Sequence, residues 1–190
     1  MISEKLQVKI KSKIQTLQKY TNRKWYPPFI GFLAALDFFI LIVPTDGILI
    51  SSTMITPKRW FAIAVCMAIG STLGAIALAA IVQLQGLPWI LDLYPGISET
   101  QTWQLSQKFF EQYGLILVFA VAASPFVQHP TVILASLANS SILELTAIIF
   151  VGRLLKFLLI AYLSSHAPSV LGKLWGLKGE MKEVGIKLKE

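Results

Sequence analysis

Two strongly apolar stretches, residues 29–56 and 115–139, are each interrupted near the middle by proline and polar side chains. Pro44-Thr45-Asp46 interrupts the first, and the segment from Ser124-Pro125 to Gln128-His129-Pro130 interrupts the second. A helix needs about 20 apolar residues to cross a bilayer, so the arms beside each interruption are too short to span comfortably. Backbone groups left unpaired beside a proline are tolerated at membrane depth only where protein or water covers them. The pattern predicts two re-entrant helical hairpins, with Asp46 and His129 inside the molecule.

Composition favours an all-α integral membrane protein. Of the 190 residues, 55% are hydrophobic and only 14% are charged, and the mean hydropathy is +0.65. The surface of an ordinary soluble domain of this length would not tolerate so apolar a chain. Residues 1–24 are polar and basic, so we expect no secretory signal peptide there.

The sequence contains no motif for soluble catalysis or metal binding. Cys66 has no second cysteine with which to form a disulfide, and the two histidines lack metal-ligand spacing. No phosphate-binding glycine loop, dinucleotide fingerprint or nucleophile elbow is present. Ser124 and His129 form too weak a pair to favour an intramembrane enzyme. We therefore predict a protein that is not an enzyme, with no metal, cofactor or nucleic-acid partner.

The chain divides into three parts. Residues 1–24 are basic, with apolar residues at helical spacing, and predict an amphipathic cytoplasmic helix that lies on anionic lipid or serves as a solvated flank. Residues 166–190 form a second basic segment, which we also expect to meet anionic lipid. Residues 25–165 form the membrane domain: a hairpin (28–57), a span (60–84), an outer loop with an interfacial helix (85–113), a hairpin (114–139) and a span (142–163). Ser98-Glu99-Thr100-Gln101 predicts a capping box at the start of the interfacial helix.

Charge and spacing predict an inverted repeat. Fourteen of the 17 lysines and arginines fall on one predicted side, so the positive-inside rule makes both termini of this multi-pass chain cytoplasmic. A re-entrant hairpin enters and leaves the membrane on the same side, and a span crosses the membrane once. The second hairpin-and-span unit is therefore inverted relative to the first. Pro44 precedes Gly70 by 26 residues, and Pro125 precedes Gly152 by 27. Inverted repeats with broken helices are typical of transporters; the alternative is two similar hairpins arising from generic apolar composition.

Gly70 and Gly74 form a small-xxx-small motif that lets another helix approach closely. The motif could serve packing within the chain or a homo-oligomer.

Four segments together carry a resemblance to a known family: Val43-Pro44-Thr45-Asp46, Gly70 to Gly74, Phe110 to Gly114, and Gly152-Arg153. Over about residues 25–165 the chain resembles the DedA family, also called the VTT or SNARE-associated Golgi protein family, and within it the shorter bacterial members. The resemblance implies a protein of the bacterial cytoplasmic membrane that moves phospholipid or polyprenyl phosphate between leaflets. The chain departs from the family at Gln128 and His129, where family members commonly carry a basic residue, and His129 or Arg153 would have to take its place. It also departs further on, where Ala135-Ser136 or Leu137-Ala138 replaces an Ala-Gly pair.

Arg153 is a charge in an unexpected place, 12 residues into the second span. An arginine at this depth costs about 3 kcal/mol, so we expect a buried partner, with Asp46 first and Asp37 second. Lys156 should reach the cytoplasmic interface by extending its side chain. We predict a polar midplane site of Asp46, Arg153 and His129, supported by Pro44, Thr45, Gln128 and Pro125. The alternative is a purely structural Asp–Arg pair.

The resulting functional hypothesis is a membrane lipid translocator, a flippase or scramblase, whose hairpin tips carry the headgroup. Coupling to protons would require Asp46 or His129 to titrate in the working range, which burial can arrange. The alternative from another class is a non-transporting scaffold or assembly factor for envelope homeostasis, in which the polar tips only hold the fold.

Overall fold

The computed structural model describes residues 20–40, 44–93, 95–124 and 128–166, and in these ranges the chain is helical with no strand. The expected all-α class is therefore confirmed for this part of the protein. Two helices are long and apolar enough to cross a membrane. The helices are α1 (Tyr26–Ile40), α2 (Thr45–Ile55), α3 (Trp60–Leu93), α4 (Gln101–Tyr113), α5 (Leu115–Ala122), α6 (His129–Leu137) and α7 (Ile142–His166).

The first apolar stretch forms α1 and α2, which run antiparallel. Proline has no N–H to donate but keeps its carbonyl, and the Pro44 carbonyl accepts the first hydrogen bond of α2 from the Ile48 N–H at 2.9 Å. At the other end of the pair, the Tyr26 hydroxyl shares a 2.7 Å hydrogen bond with Ser52 Oγ. The start of α1 and the end of α2 therefore lie side by side.

The second apolar stretch forms the shorter helices α5 and α6. Pro130 sits in the first turn of α6, where a missing N–H costs no helical hydrogen bond. The Thr131 hydroxyl donates to the Gln128 carbonyl at 2.8 Å and so ties down the same turn. Pro125, which we placed at this interruption, lies outside the described residues, as do residues 1–19 and 167–190 of the two predicted basic segments.

The long helix α3 extends past the predicted end of the first span at residue 84. It kinks at Gly86, whose φ of 74° suits glycine, and continues past Pro88 to Leu93, where we expected an irregular loop. The second long helix, α7, likewise extends to His166, beyond the predicted end at residue 163. Helix boundaries depend on local backbone conformation, which apolar composition alone does not determine.

Helix α4 is the helix predicted in the connecting region, but its N-cap differs from the prediction. The Thr100 hydroxyl accepts a 3.2 Å hydrogen bond from the Trp103 N–H, so Thr100 is the cap and Ser98 is not. Trp103 is buried against α6 and the core. Gly114, with φ of 54°, then turns the chain directly into α5.

Helix α1 packs parallel to α3 at very short range. A Cβ built on Gly70 would overlap the carbonyl of Gly31, and one built on Gly74 would overlap Ala35. On the other half of the molecule, α5 packs against α7, where a Cβ on Gly152 would lie 2.8 Å from the Ala122 Cβ. Small residues therefore set the helix spacing in both places.

The core consists of two apolar clusters with polar residues between them. The first cluster contains residues 63–68 of α3 and 157–161 of α7, and the second contains residues 75–82 of α3 and 145–149 of α7. The two long helices are consequently antiparallel. The segment of α7 between the clusters, residues 152–156, carries two buried charges, which are Arg153 and Lys156.

The outer faces of both long helices are apolar. Between Phe61 and Leu84, the exposed side chains of α3 are Phe61, Ala62, Ile69, Leu73, Ala77 and Leu84. Between Leu145 and Leu163, those of α7 are Ala147, Val151, Leu155, Leu159 and Tyr162. In these segments charged side chains point inward and apolar side chains point outward.

Candidate functional site

A buried ion pair joins α2 to α7. Lys156 Nζ lies 2.6 Å from Asp46 Oδ2, and each side chain is only 5% exposed. Our prediction that Lys156 reaches the cytoplasmic interface is therefore wrong. Lys156 follows Arg153 by three residues, so both lie on one helix face, and α2 supplies a carboxylate at that face. A charge this deeply buried is stable only when it is paired.

Arg153 is held differently from the prediction. Asp46 forms its direct ion pair with Lys156, while Asp46 and Asp37 both act on Arg153 through their charges. The guanidinium lies over two aromatic rings, with Cζ 5.5 Å from the centroid of Phe38 and 5.5 Å from that of Phe157. These rings belong to different apolar clusters, so Arg153 lies at the boundary between them. Desolvated cation–π contacts are worth about 2 kcal/mol each and partly offset the cost of burial.

His129 faces the same aromatic ring from α6. Its ring centroid lies 4.9 Å from that of Phe38, and it is close enough to Arg153 to interact with its charge. Neither buried ring nitrogen of His129 forms a hydrogen bond of normal geometry with the described residues, although the Asp37 backbone is close enough to interact with the ring. Gln128 is 2% exposed, and its amide oxygen and nitrogen have no partner in the same part of the chain.

The structure thus brings together four side chains, Asp46, His129, Arg153 and Lys156, and Gln128 directly precedes His129. We call these five residues the polar layer. Pro44 and Thr45 are half-buried at the start of α2, beside Asp46. Asp37 is half-buried on α1, one residue before Phe38. The layer is therefore built from α2, α6 and α7, with α1 supplying an aromatic ring and a second carboxylate.

Sequence reasoning missed two participants, Lys156 and Phe38. Arg153 and Lys156 are three residues apart, which places them on one helix face. This spacing does not indicate how deeply the Lys156 side chain is buried. Phe38 carried no distinguishing signal, because aromatic residues are common throughout the apolar stretches. Its role is visible only in the folded protein, where its ring contacts His129 of α6 and Arg153 of α7.

Helix ends add to the electrostatics of the layer. Helices α2 and α6 both begin in it, at Thr45 and His129, and a helix N-terminus carries a partial positive charge. Asp46 lies in the first turn of α2 and so complements that end. The first turn of α6 contains no acidic residue. The part of the layer near Arg153, Gln128 and His129 is therefore electropositive and rich in polar atoms, which suits an anionic or hydroxylated group.

The described residues contain no group of three or more His, Cys, Asp or Glu side chains that could hold a metal ion. Cys66 is a free thiol on α3. Ser124, considered above as a partner for His129, donates its hydroxyl to the Val121 carbonyl at 2.9 Å.

Comparison with known proteins gives one distant relative. Over 137 residues the chain is 29% identical to an uncharacterized protein of Haemophilus influenzae, and the match covers 72% of this chain and 69% of that protein. No family model matches the chain, and no solved structure matches it. The basis for a functional proposal is therefore the fold and the polar layer.

Proposed function

We propose that this protein is a lipid translocator, a flippase or scramblase that moves a phospholipid or polyprenyl phosphate between leaflets. The observation that carries the proposal is the position of the polar layer. Two mutually paired charges and a third cation are buried halfway along two long antiparallel helices whose outer faces are apolar. A membrane protein that only needed to be stable would gain little from burying Asp46, Arg153 and Lys156 at this depth.

Placement in a membrane follows from the same pattern. An apolar outer stripe along both α3 and α7 has no favourable contact with water, but it matches the hydrocarbon interior of a bilayer. Charges turned inward are the usual arrangement for ionisable residues of membrane helices, and such residues mark substrate or ion pathways.

The helix packing supports an inverted repeat. In the first half α1 packs against α3 and α2 contacts α7; in the second half α5 packs against α7 and α6 contacts α3. Exchanging the two halves leaves this set of contacts unchanged. Helices α2 and α6 would then be the inner arms of two re-entrant hairpins that meet near the midplane, as broken helices do in transporters. This agrees with the resemblance to the DedA family, to which we assign the protein as part of the proposal.

The ends of the helices favour an orientation with both termini on one side. The Thr53 hydroxyl of α2 hydrogen-bonds to Ser164 of α7, and Tyr26 of α1 to Ser52 of α2, so the start of α1 and the end of α7 lie together. Arg59 donates to the Arg23 carbonyl at 2.8 Å at this end. The positive-inside rule makes this the cytoplasmic side of the bacterial cytoplasmic membrane.

In the proposed mechanism Arg153 and the N-terminus of α6 receive the anionic part of a headgroup while the acyl chains remain in lipid. The Asp46–Lys156 pair links the first hairpin to α7, so it must rearrange whenever the two move apart. A proton-coupled form of the mechanism would act by releasing Lys156 from Asp46. If exchange by the purified protein is indifferent to a pH gradient, the coupled form of the mechanism is lost and passive scrambling survives.

The test is leaflet exchange of fluorescent lipids in liposomes that contain the purified full-length protein. We expect faster exchange than in protein-free liposomes, and its loss in Asp46→Asn and Arg153→Gln variants that remain monodisperse and helical. Lys108→Met, which removes an exposed lysine from α4, is the matched control and should leave exchange unchanged. If no lipid is exchanged faster, or if both layer variants exchange lipid normally, a membrane scaffold becomes the better hypothesis.

A further inference from the structure

Six buried polar atoms of the polar layer form no hydrogen bond of normal geometry with the residues that the structure describes. They are Asp46 Oδ1, Gln128 Oε1, Gln128 Nε2, His129 Nδ1, His129 Nε2 and Arg153 Nε. Most buried polar atoms in folded proteins are hydrogen-bonded, because leaving one unpaired costs about 1–3 kcal/mol. A concentration of six in one place therefore requires a physical explanation.

These atoms belong to residues that lie near one another in the fold. His129 and Arg153 lie against the same Phe38 ring, and Arg153 interacts with the charges of both Asp46 and His129. Gln128 directly precedes His129 at the start of α6. The Gln128 carbonyl is used by the Thr131 hydroxyl and the Val132 N–H, but nothing among the described residues uses its side-chain amide.

The chemistry of these atoms is mixed. The amide nitrogen of Gln128, one nitrogen of a neutral His129 and Nε of Arg153 are donors. The amide oxygen of Gln128, the other nitrogen of His129 and Oδ1 of Asp46 are acceptors. Donors and acceptors therefore occur in equal number.

Candidate headgroups differ in which of these atoms they can satisfy. A phosphate without further polar groups only accepts, so it would leave the three acceptors of the layer unpaired. An ammonium group only donates, and it would lie close to Arg153 and Lys156, which repel it. A hydroxyl both donates and accepts and carries no charge.

We propose that the headgroup handled by this site is a phosphodiester that bears uncharged hydroxyl groups, of the glycerol phosphate or sugar phosphate type. Its phosphate would accept from Arg153 Nε and the donors at the start of α6. Each hydroxyl would donate to one of Gln128 Oε1, the acceptor nitrogen of His129 and Asp46 Oδ1, so that a glycerol phosphate satisfies two of these acceptors and a sugar phosphate all three. This inference rests on the proposed function, whose substrate class it narrows.

The test compares two fluorescent lipids with identical acyl chains and the same single negative charge. Phosphatidylglycerol carries two hydroxyls on its headgroup, and phosphatidylmethanol carries none. In liposomes containing the full-length protein, phosphatidylglycerol should exchange about ten-fold faster, because a site built for hydrogen bonds discriminates against a ligand that leaves them unmade. Gln128→Met, which keeps the length of the side chain but removes the amide, should lower phosphatidylglycerol exchange toward that of phosphatidylmethanol.

The outcomes separate this inference from the proposed function. Equal acceleration of both lipids would overturn the inference, since water would then satisfy the layer, and would leave lipid translocation standing. Acceleration of neither lipid would overturn both. If Gln128→Met does not fold, the two-lipid comparison on the unaltered protein still decides, and His129→Phe, which keeps a ring against Phe38 without the nitrogens, provides the second variant.

Discussion

The two halves of the molecule, α1–α3 and α5–α7, have corresponding helix contacts but different chemistry. Aligning Gly70 of α3 with Gly152 of α7 places Arg153 opposite Ser71 and Lys156 opposite Gly74. Where α7 carries two buried cations, α3 thus carries a hydroxyl and a glycine. Small residues and backbone contacts can maintain the helix packing of both halves, while the side chains at corresponding positions of α3 and α7 differ in charge.

The helix interruptions differ in the same way. The first turn of α2 contains Asp46, which is paired with Lys156, whereas the start of α6 contains Gln128 and His129, which are uncharged and unpaired. The contact between α2 and α7 is therefore ionic, and the contact between α6 and α3 is neutral. Substitutions at the ion pair should therefore have larger effects than substitutions at the helix contacts or on the outer face.

Breaking the ion pair should have the largest effect. Lys156→Met leaves Asp46 buried without a counterion, and we expect it to destabilise the protein by about 3–5 kcal/mol and to abolish lipid exchange. Thermal unfolding in detergent measures the first effect, and the liposome assay measures the second. Unchanged unfolding in Lys156→Met would contradict a paired, buried Asp46.

Removing both members of the pair separates stability from transport. Because replacing a buried ion pair by apolar residues is often neutral, Asp46→Leu combined with Lys156→Met should recover most of the stability lost in the single variant. Lipid exchange should remain absent if the charges act on the headgroup. Recovery of exchange together with stability would instead assign the pair a structural role.

Helix spacing tests the packing side of the comparison. Gly70→Ala places a methyl group against the backbone of Gly31, which cannot move away easily, and should cost about 2–3 kcal/mol. Gly152→Ala places its methyl group 2.8 Å from the Ala122 Cβ and 3.1 Å from the Phe119 carbonyl oxygen, which are longer contacts than those at Gly70, and should cost about 1 kcal/mol. Unfolding of the two variants under identical conditions checks the order. Equal costs would mean that the two helix pairs are equally close.

The aromatic support of Arg153 should show a smaller effect. Phe38→Leu keeps an apolar side chain but removes the ring from both Arg153 and His129, with an expected loss of about 1–2 kcal/mol. Lipid exchange should slow without being abolished, because Asp46 and Asp37 still attract Arg153. Complete loss of exchange in a folded Phe38→Leu variant would show that the ring contacts the substrate.

The smallest effect is expected one residue before Lys156. Leu155 is half exposed on the outer face of α7, so Leu155→Ala removes little buried surface and should change stability by less than about 0.5 kcal/mol. Its exchange rate should match that of the unaltered protein. A large loss would mean that this outer face packs against another molecule, such as a second copy of the chain.

Much of the fold could be predicted because its signals are local. The interruptions before α2 and α6 follow from proline chemistry, and the positions of the two long helices follow from the apolar runs. The path after residue 84 was not predictable in the same way, because Gln85-Gly86-Leu87-Pro88 is compatible with a loop or with a kinked helix. The backbone of Gly86 adopted a positive φ that allowed helical turns to resume.

The polar layer was predictable only in part. The amino-acid sequence alone places charges deep in apolar segments, puts Arg153 and Lys156 on one helix face, and gives each interruption polar side chains. The pairing of Asp46 with Lys156 and the contact of Phe38 with both Arg153 and His129 arise in the folded protein. They could not be predicted because pairing depends on the rotation and depth of α2 relative to α7. Those are set by contacts distributed over the whole core, whereas the side chains themselves are compatible with several partners.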